Sequence, residues 1–358
     1  MRKLLLASAF GATMLIGGLG TSMAVAQPAS VLNPDTDPSR INWAALSSSF
    51  GAIPKLAPGV RIGAVAKTLT NEYWRQLGDG YQVAAKKFGA VLDLQAAQGE
   101  NAQLEQLSIA QAMLNKGYKA MLLSPETNSN LQPAFEEASA SGVPVVDVDD
   151  AVFPYAQHFV GNVQRDNGMR VARWFISHDS KGGKIAVIEG MPGVYAATER
   201  TLGFEETLKS SGEPFDIVAN VPGNWSRQTA YEEATTILQQ HPDLIGFYAN
   251  NDDMALGVVQ AVIAAGKLGK VAVFGTDGIG EALKSIAAGQ LTGTVDSFPQ
   301  LTGQISVEVA LRLLAGQKLP RVIETPQALI TKANYNEYFG PGVDLEAVLQ
   351  QQSQKSSN

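Results

Sequence analysis

The chain has 358 residues, with 27 Lys and Arg against 34 Asp and Glu, a formal charge of −7 and no cysteine. An acidic balance without a basic patch argues against nucleic acid or an anionic lipid surface as the partner. Without cysteine there is no disulfide scaffold, so stability must come from buried apolar area, and the length suffices for two ordinary cores.

The first 26 residues read as a leader. Arg2 and Lys3 are followed by an apolar run from Leu4 to Leu19, and then by the small-residue triplet Ala24-Val25-Ala26. This is the pattern of a secretory signal peptide cleaved before Gln27. Residues 27–59 hold Pro28, Pro34, Pro38, Pro54 and Pro58 and no sustained period, which predicts a tether or surface strap with room for one short helix near 42–48.

From Arg61 the texture changes. Apolar runs at 61–66, 91–95, 119–123, 143–148, 184–189, 215–221, 244–249 and 270–275 read as strands. Between them lie stretches of helical spacing at 73–88, 101–116, 129–141, 165–178, 197–210, 227–240, 253–266 and 279–288. A further strand is expected at 291–296. Strand–helix alternation with continuous apolar strands predicts an α/β protein whose parallel sheets are covered on both faces. Two sheets of five or six strands fit better than one very wide sheet. The rhythm breaks near 150–165, at Phe298-Pro299 and between Pro320 and Pro326. Three breaks suggest two domains discontinuous in sequence and joined by a three-stranded hinge. The tail 340–358 is polar and reads as frayed.

In doubly wound sheets ligands bind beyond the carboxyl ends of the strands. Those ends are consistently polar here: Lys67 to Trp74 after the first strand, Ser124 after the third and Asp149-Asp150 after the fourth. Tyr195 to Arg200, Asn250 to Asp253 and Asp277-Gly278 follow later strands, and Trp225 opens the helix at 227–240. Each has a bland reading. Asn71, Asn251 and Asp252 suit helix caps, Asp277-Gly278 suits a turn, and the aromatics suit a core. Together they make a set fitted to a polyhydroxylated molecule, because carboxylates and amides meet hydroxyls, guanidinium donates in a fork and rings cover C–H faces.

Catalysis finds little support. His158, His178 and His241 stand far apart, and no G-x-S-x-G, H-E-x-x-H, P-loop or G-x-G-x-x-G run occurs. Asp149 and Asp277 could form a glycosidase pair, but nothing in their spacing demands it.

From about Arg61 to Tyr338 the chain resembles the ribose-binding type of periplasmic binding protein, the sugar receptors of ABC importers. The stretches that carry the resemblance are TLTNEYW at 68–74, LLSPET at 122–127, GVPVVDVD at 142–149, AATERTLGF at 196–204, ANNDDMALG at 249–257 and VFGTDG at 273–278. The resemblance implies two doubly wound lobes with a ligand cleft between them. The first would span 60–161 plus 298–328 and the second 162–297 plus 329–339. It assigns ligand contact to Asn71, Tyr73, Trp74, Asp149, Arg200, Trp225, Asn251 and Asp277. Four further cleft positions depart from the ribose receptors: Lys67 stands in place of a small hydroxyl residue, Ser124 of an Asn, Asp150 of an Arg and Ser297 of a Gln. Ribose itself is therefore doubtful, and a longer polyol, a hexose or a modified sugar is expected. The added carboxylate motivates a minority reading of an amine-bearing ligand.

The resemblance further implies a periplasmic monomer that delivers its ligand to an ABC permease, with no cofactor and no catalysis, and it allows a chemoreceptor as a second partner. No D-x-[DN]-x-[DN]-G run occurs, so no metal is expected. A receptor for a non-sugar signal and a secreted carbohydrate-active enzyme are the alternatives. Lactose-repressor-type regulators share the core but carry a DNA-reading domain, against which the leader and the acidic balance argue.

Overall fold

The computed structural model describes residues 30–179 and 181–356. The expected leader over 1–26 lies outside them. Among the described residues, no helix is long and apolar enough to cross a membrane.

The first run of elements is β1 (Ile41–Asn42), α1 (Leu46–Phe50), β2 (Arg61–Thr68), α2 (Glu72–Phe88), β3 (Val91–Ala97), α3 (Gln103–Leu114), β4 (Ala120–Leu123), α4 (Gln132–Ala140), β5 (Val145–Val148) and β6 (Phe159–Gly161). The second is α5 (Gln164–His178), β7 (Gly183–Glu189), α6 (Tyr195–Ser211), β8 (Phe215–Pro222), α7 (Arg227–Gln240), β9 (Leu244–Ala249), α8 (Asp252–Ala264), β10 (Ala272–Asp277), α9 (Gly280–Ala287) and β11 (Gly293–Asp296). The chain ends with α10 (Pro299–Leu314), β12 (Val322–Glu324), β13 (Ala328–Thr331), α11 (Tyr335–Phe339) and α12 (Leu345–Ser356).

One sheet has seven strands in the order β1-β12-β6-β5-β4-β2-β3, and the other has six in the order β13-β11-β10-β9-β7-β8. All neighbours pair in parallel except β11 with β13. Read from one edge, β3-β2-β4-β5-β6 and β8-β7-β9-β10-β11 are the same winding made twice, each with its switch of strand order beside its first strand. This is the α/β architecture the alternation predicts. The strands are buried almost throughout because helices cover both faces.

The chain passes between the sheets three times: from β6 into α5, from β11 into α10, and from β12 into β13. Helix α10 packs on α2 and on β4 to β6, so it belongs with the seven-stranded sheet although it follows β11 in sequence.

Several features differ from the sequence reading, among them α10, β12 and β13, which no expected segment covers. The break at 150–165 contains β6, a three-residue strand too short for a period to register. The strap contributes β1, whose Ile41 pairs with Ile323, and this makes a seventh strand. The tail, read as frayed, carries α12, and its Leu349 is buried in the core, which holds a mostly polar helix in place. The strap also spans both halves. The Leu32 N–H donates to the Pro154 carbonyl (2.8 Å), Arg40 pairs with Glu324 (3.3 Å), and the Asp35 carboxylate accepts from the Gln164 and Arg165 N–H groups at the start of α5 (3.1 and 2.7 Å).

Candidate ligand-binding site

The carboxyl ends of both sheets face each other across a small cavity lined by Asn71, Tyr73, Trp74, Glu100, Asp149, Asp150, Arg200, Trp225, Asn251 and Asp277. Local sequence explains how several of these are held. Asn71 ends the loop after β2 and caps α2, its Oδ1 accepting from the Tyr73 N–H (2.9 Å), while its amide donates to Glu100 (3.0 Å). Asn251 caps α8 in the same way, accepting from the Met254 N–H (2.9 Å). Capping and cavity lining are thus not alternatives at these two positions. Trp225 precedes Ser226, which caps α7, and the Trp74 indole N–H donates to Glu100 (3.2 Å).

The backbone is strained where the site needs it. The six non-glycine residues with left-handed φ among the described residues are Asn101, Asp149, Asn224, Trp225, Asp277 and Phe298. Three line the cavity, two adjoin lining residues, and Phe298 starts the α10 crossing. Each costs on the order of 1–3 kcal/mol, and such residues concentrate at functional sites.

Arg200 is the hub of the second half. Buried on α6, it donates through Nε to Gln164 (2.8 Å) and through Nη1 to the Asn250 carbonyl (2.7 Å), and it lies 3.6 Å from the Asp277 carboxylate. The Gln164 amide reaches back to Asp149 across the first crossing (3.3 Å). Lys67 is buried at a bulge of β2, where the register with β3 shifts between Ala66 and Thr68. Its ammonium pairs with Asp150 at 2.7 Å and lies 5.5 and 5.7 Å from the Trp74 and Trp225 rings. The Arg-to-Asp departure at 150 and the lysine at 67 are therefore one ion pair.

Burial dominates the titration of the site. It pushes Asp149 up to about 6, helped by the charge of Asp150 and opposed by Arg200. Glu100 is raised by burial against the pull of Lys67, and Asp277 is raised well above the carboxylate range against that of Arg200. Burial works against the charge on Lys67 and Arg200, but neighbouring carboxylates outweigh it and keep both protonated.

Nine of the twelve expected site residues line the cavity. Lys67 stands behind Asp150. Ser124 and Ser297 are buried but outside the lining, with hydroxyls that make no hydrogen bond. Glu100 was missed, although the strand-end rule applied to β3 points to the loop that carries it. Gln164 was also missed, and no motif marks it.

A family model described as periplasmic binding protein domain matches residues 62–318. The D-allose-binding periplasmic protein of Escherichia coli (strain K12) is 34% identical over 273 residues, covering 74% of this chain and 86% of its own. An ABC transporter periplasmic solute binding protein from Actinobacillus succinogenes 130z, solved with bound D-allose, superposes with a TM-score of 0.73 at 29% identity, over 79% of this chain and 100% of that one. The Caulobacter myo-inositol binding protein, solved with myo-inositol, gives 0.72 at 28% identity, over 79% and 97%.

Proposed function

The chain belongs to the periplasmic binding protein domain family, and from that premise we propose that it captures one small sugar or polyol between its two sheets and delivers it to the permease of an ABC importer. The family and the relatives named above are binding proteins of transporters, not enzymes. The observation that carries the proposal is the cavity itself. Asn71, Tyr73, Trp74, Asp149 and Asp150 come from one half and Arg200, Trp225, Asn251 and Asp277 from the other. Polar side chains and aromatic rings in one small enclosed space suit a molecule with hydroxyls on its rim and C–H on its faces.

The mechanism is a shift of population. Two lobes, 60–161 with 298–328 and 162–297 with 329–339, open and close about the three crossings. A ligand that touches both binds the closed state better and so favours it. The protein works in the periplasm as a single copy, after its leader has been removed.

Thermal unfolding of residues 27–358 against pentoses, hexoses, sugar alcohols, inositols and amino acids tests this reading. A ligand at 100 times its dissociation constant adds about 2.7 kcal/mol, which at roughly 2–4 °C per kcal/mol is a rise of several degrees. A rise confined to one carbohydrate family is expected. A cooperative transition left flat by every carbohydrate would end the sugar reading.

A further inference from the structure

The cavity holds more carboxylates than its own cations can match. Four carboxylates line it, those of Glu100, Asp149, Asp150 and Asp277. Two have a cation within ion-pair distance: Asp150 has Lys67 at 2.7 Å and Asp277 has Arg200 at 3.6 Å. The other two have none, Asp149 being buried and Glu100 half-buried. Glu100 accepts from the neutral Asn71 amide and Trp74 indole (3.0 and 3.2 Å), and Asp149 from the Gln164 amide (3.3 Å) with the neutral Tyr73 hydroxyl beside it. Beneath Glu100 lies a fifth carboxylate, Glu126, bound to the Asn101 N–H (2.7 Å) and equally without a cation within ion-pair distance.

A buried charge is costly unless it is paired. Asp149, pushed up only to about 6, keeps its charge at neutral pH, so protonation of its neighbours still leaves one ionised carboxylate with no cation within ion-pair distance. A metal ion would balance it, but among the described residues no three of these groups are placed to hold one. The remaining source of positive charge is the ligand. Two further observations point to an occupant between the same residues. The Tyr73 hydroxyl, which faces Asp149, and the Trp225 indole N–H line the cavity and are buried, and the indole N–H makes no hydrogen bond. The Trp74 and Trp225 rings beside them already face the Lys67 ammonium, so the walls suit a cation as well as a sugar face.

We propose, on the reading that this cavity binds a sugar or polyol, that its ligand carries a protonated amine, as an amino sugar or amino-substituted polyol, and that Asp149 and Glu100 receive the ammonium group. A hydrogen bond between charged partners is roughly twice as strong as a neutral one inside a protein. Replacing one hydroxyl by an ammonium at the matching position should therefore tighten binding by about tenfold or more.

The test is calorimetric titration of the native protein with matched sets of three: a neutral parent, its amino-deoxy derivative and the N-acetylated form, which keeps the substituent but loses the charge. Glucose, galactose, allose and inositol supply the sets. In at least one set the amine should bind at least tenfold more tightly than both other members. Asp149→Asn and Glu100→Gln, near-isosteric changes, should bring that ratio toward one. If every parent or N-acetyl form that binds does so as tightly as its amine, the charge assignment falls while the sugar or polyol reading stands. If no member of any set binds, both fall. The comparison between ligands uses the native chain, so a variant that fails to fold does not decide the outcome.

Discussion

Lys67 and Asp150 are 83 positions apart in sequence and 2.7 Å apart in space. Breaking a buried pair from one side leaves an uncompensated charge and costs on the order of 3–5 kcal/mol, whereas removing both partners costs far less. Lys67→Met and Asp150→Asn should each destabilise the protein by that order, and the double variant should lose clearly less than the sum, as read by denaturant unfolding. Additive losses would mean that the two groups do not hold each other. At this scale the sequence was partly legible. Strand ends that are polar on both sides of a cleft identify Asn71, Asp149, Asn251 and Asp277 without any structure. Lys67 was legible as a cleft residue but not as the partner of Asp150, because its direction is set by a bulge that no period reveals. Glu100 sits three residues beyond β3, a strand end the residue reading passed over, and Gln164 looks like any polar residue in the first turn of a helix.

At the scale of elements, helices meet so closely that glycine is required. A Cβ on Gly168 of α5 would stand 1.9 Å from the Arg200 carbonyl oxygen, and one on Gly203 of α6 would stand 2.0 Å from that of Arg165. The gain of about 1 kcal/mol from alanine's helix propensity is outweighed here, because the obstacle is backbone and overpacking costs about 1–3 kcal/mol or more. Gly168→Ala and Gly203→Ala should each lower the unfolding midpoint. Gly168→Ala should also weaken whichever ligand the thermal screen identifies, since it presses on the residue that positions the guanidinium; a normal dissociation constant in a folded variant would refute that link. The helices from α2 to α9 were readable from spacing alone, and α7 runs over the expected 227–240, but the sixteen-residue α10 was not read. β1, β6, β12 and β13, of two to four residues, were not read, since they lie in stretches without the strand–helix alternation that marked the equally short β4, β5 and β11. α12 was missed because one buried leucine anchors an otherwise polar segment.

For the molecule as a whole, buried carboxylates set the response to pH. Burial raises Asp35, Asp149 and Asp252 to about 6 and Glu126 to about 7, against about 4 in an unfolded chain. Between those values the folded state binds more protons than the unfolded one, so stability falls as pH rises. The unliganded protein should therefore melt higher near pH 5 than near pH 8, with the loss falling between about pH 4 and 7. A midpoint that rises over that interval would contradict the burial of these groups. Across the mouth of the cleft, the Glu72 carboxylate of α2 accepts from the Gly280 and Glu281 N–H groups at the start of α9 (3.1 and 3.3 Å). It touches none of the cavity, yet in the proposed hinge motion opening would break both bonds and return the carboxylate and the helix end to water. How long a captured molecule stays is then governed partly at this distant edge. Loss of this rim contact would favour the open state, shortening residence and lowering apparent affinity together without touching the cavity wall.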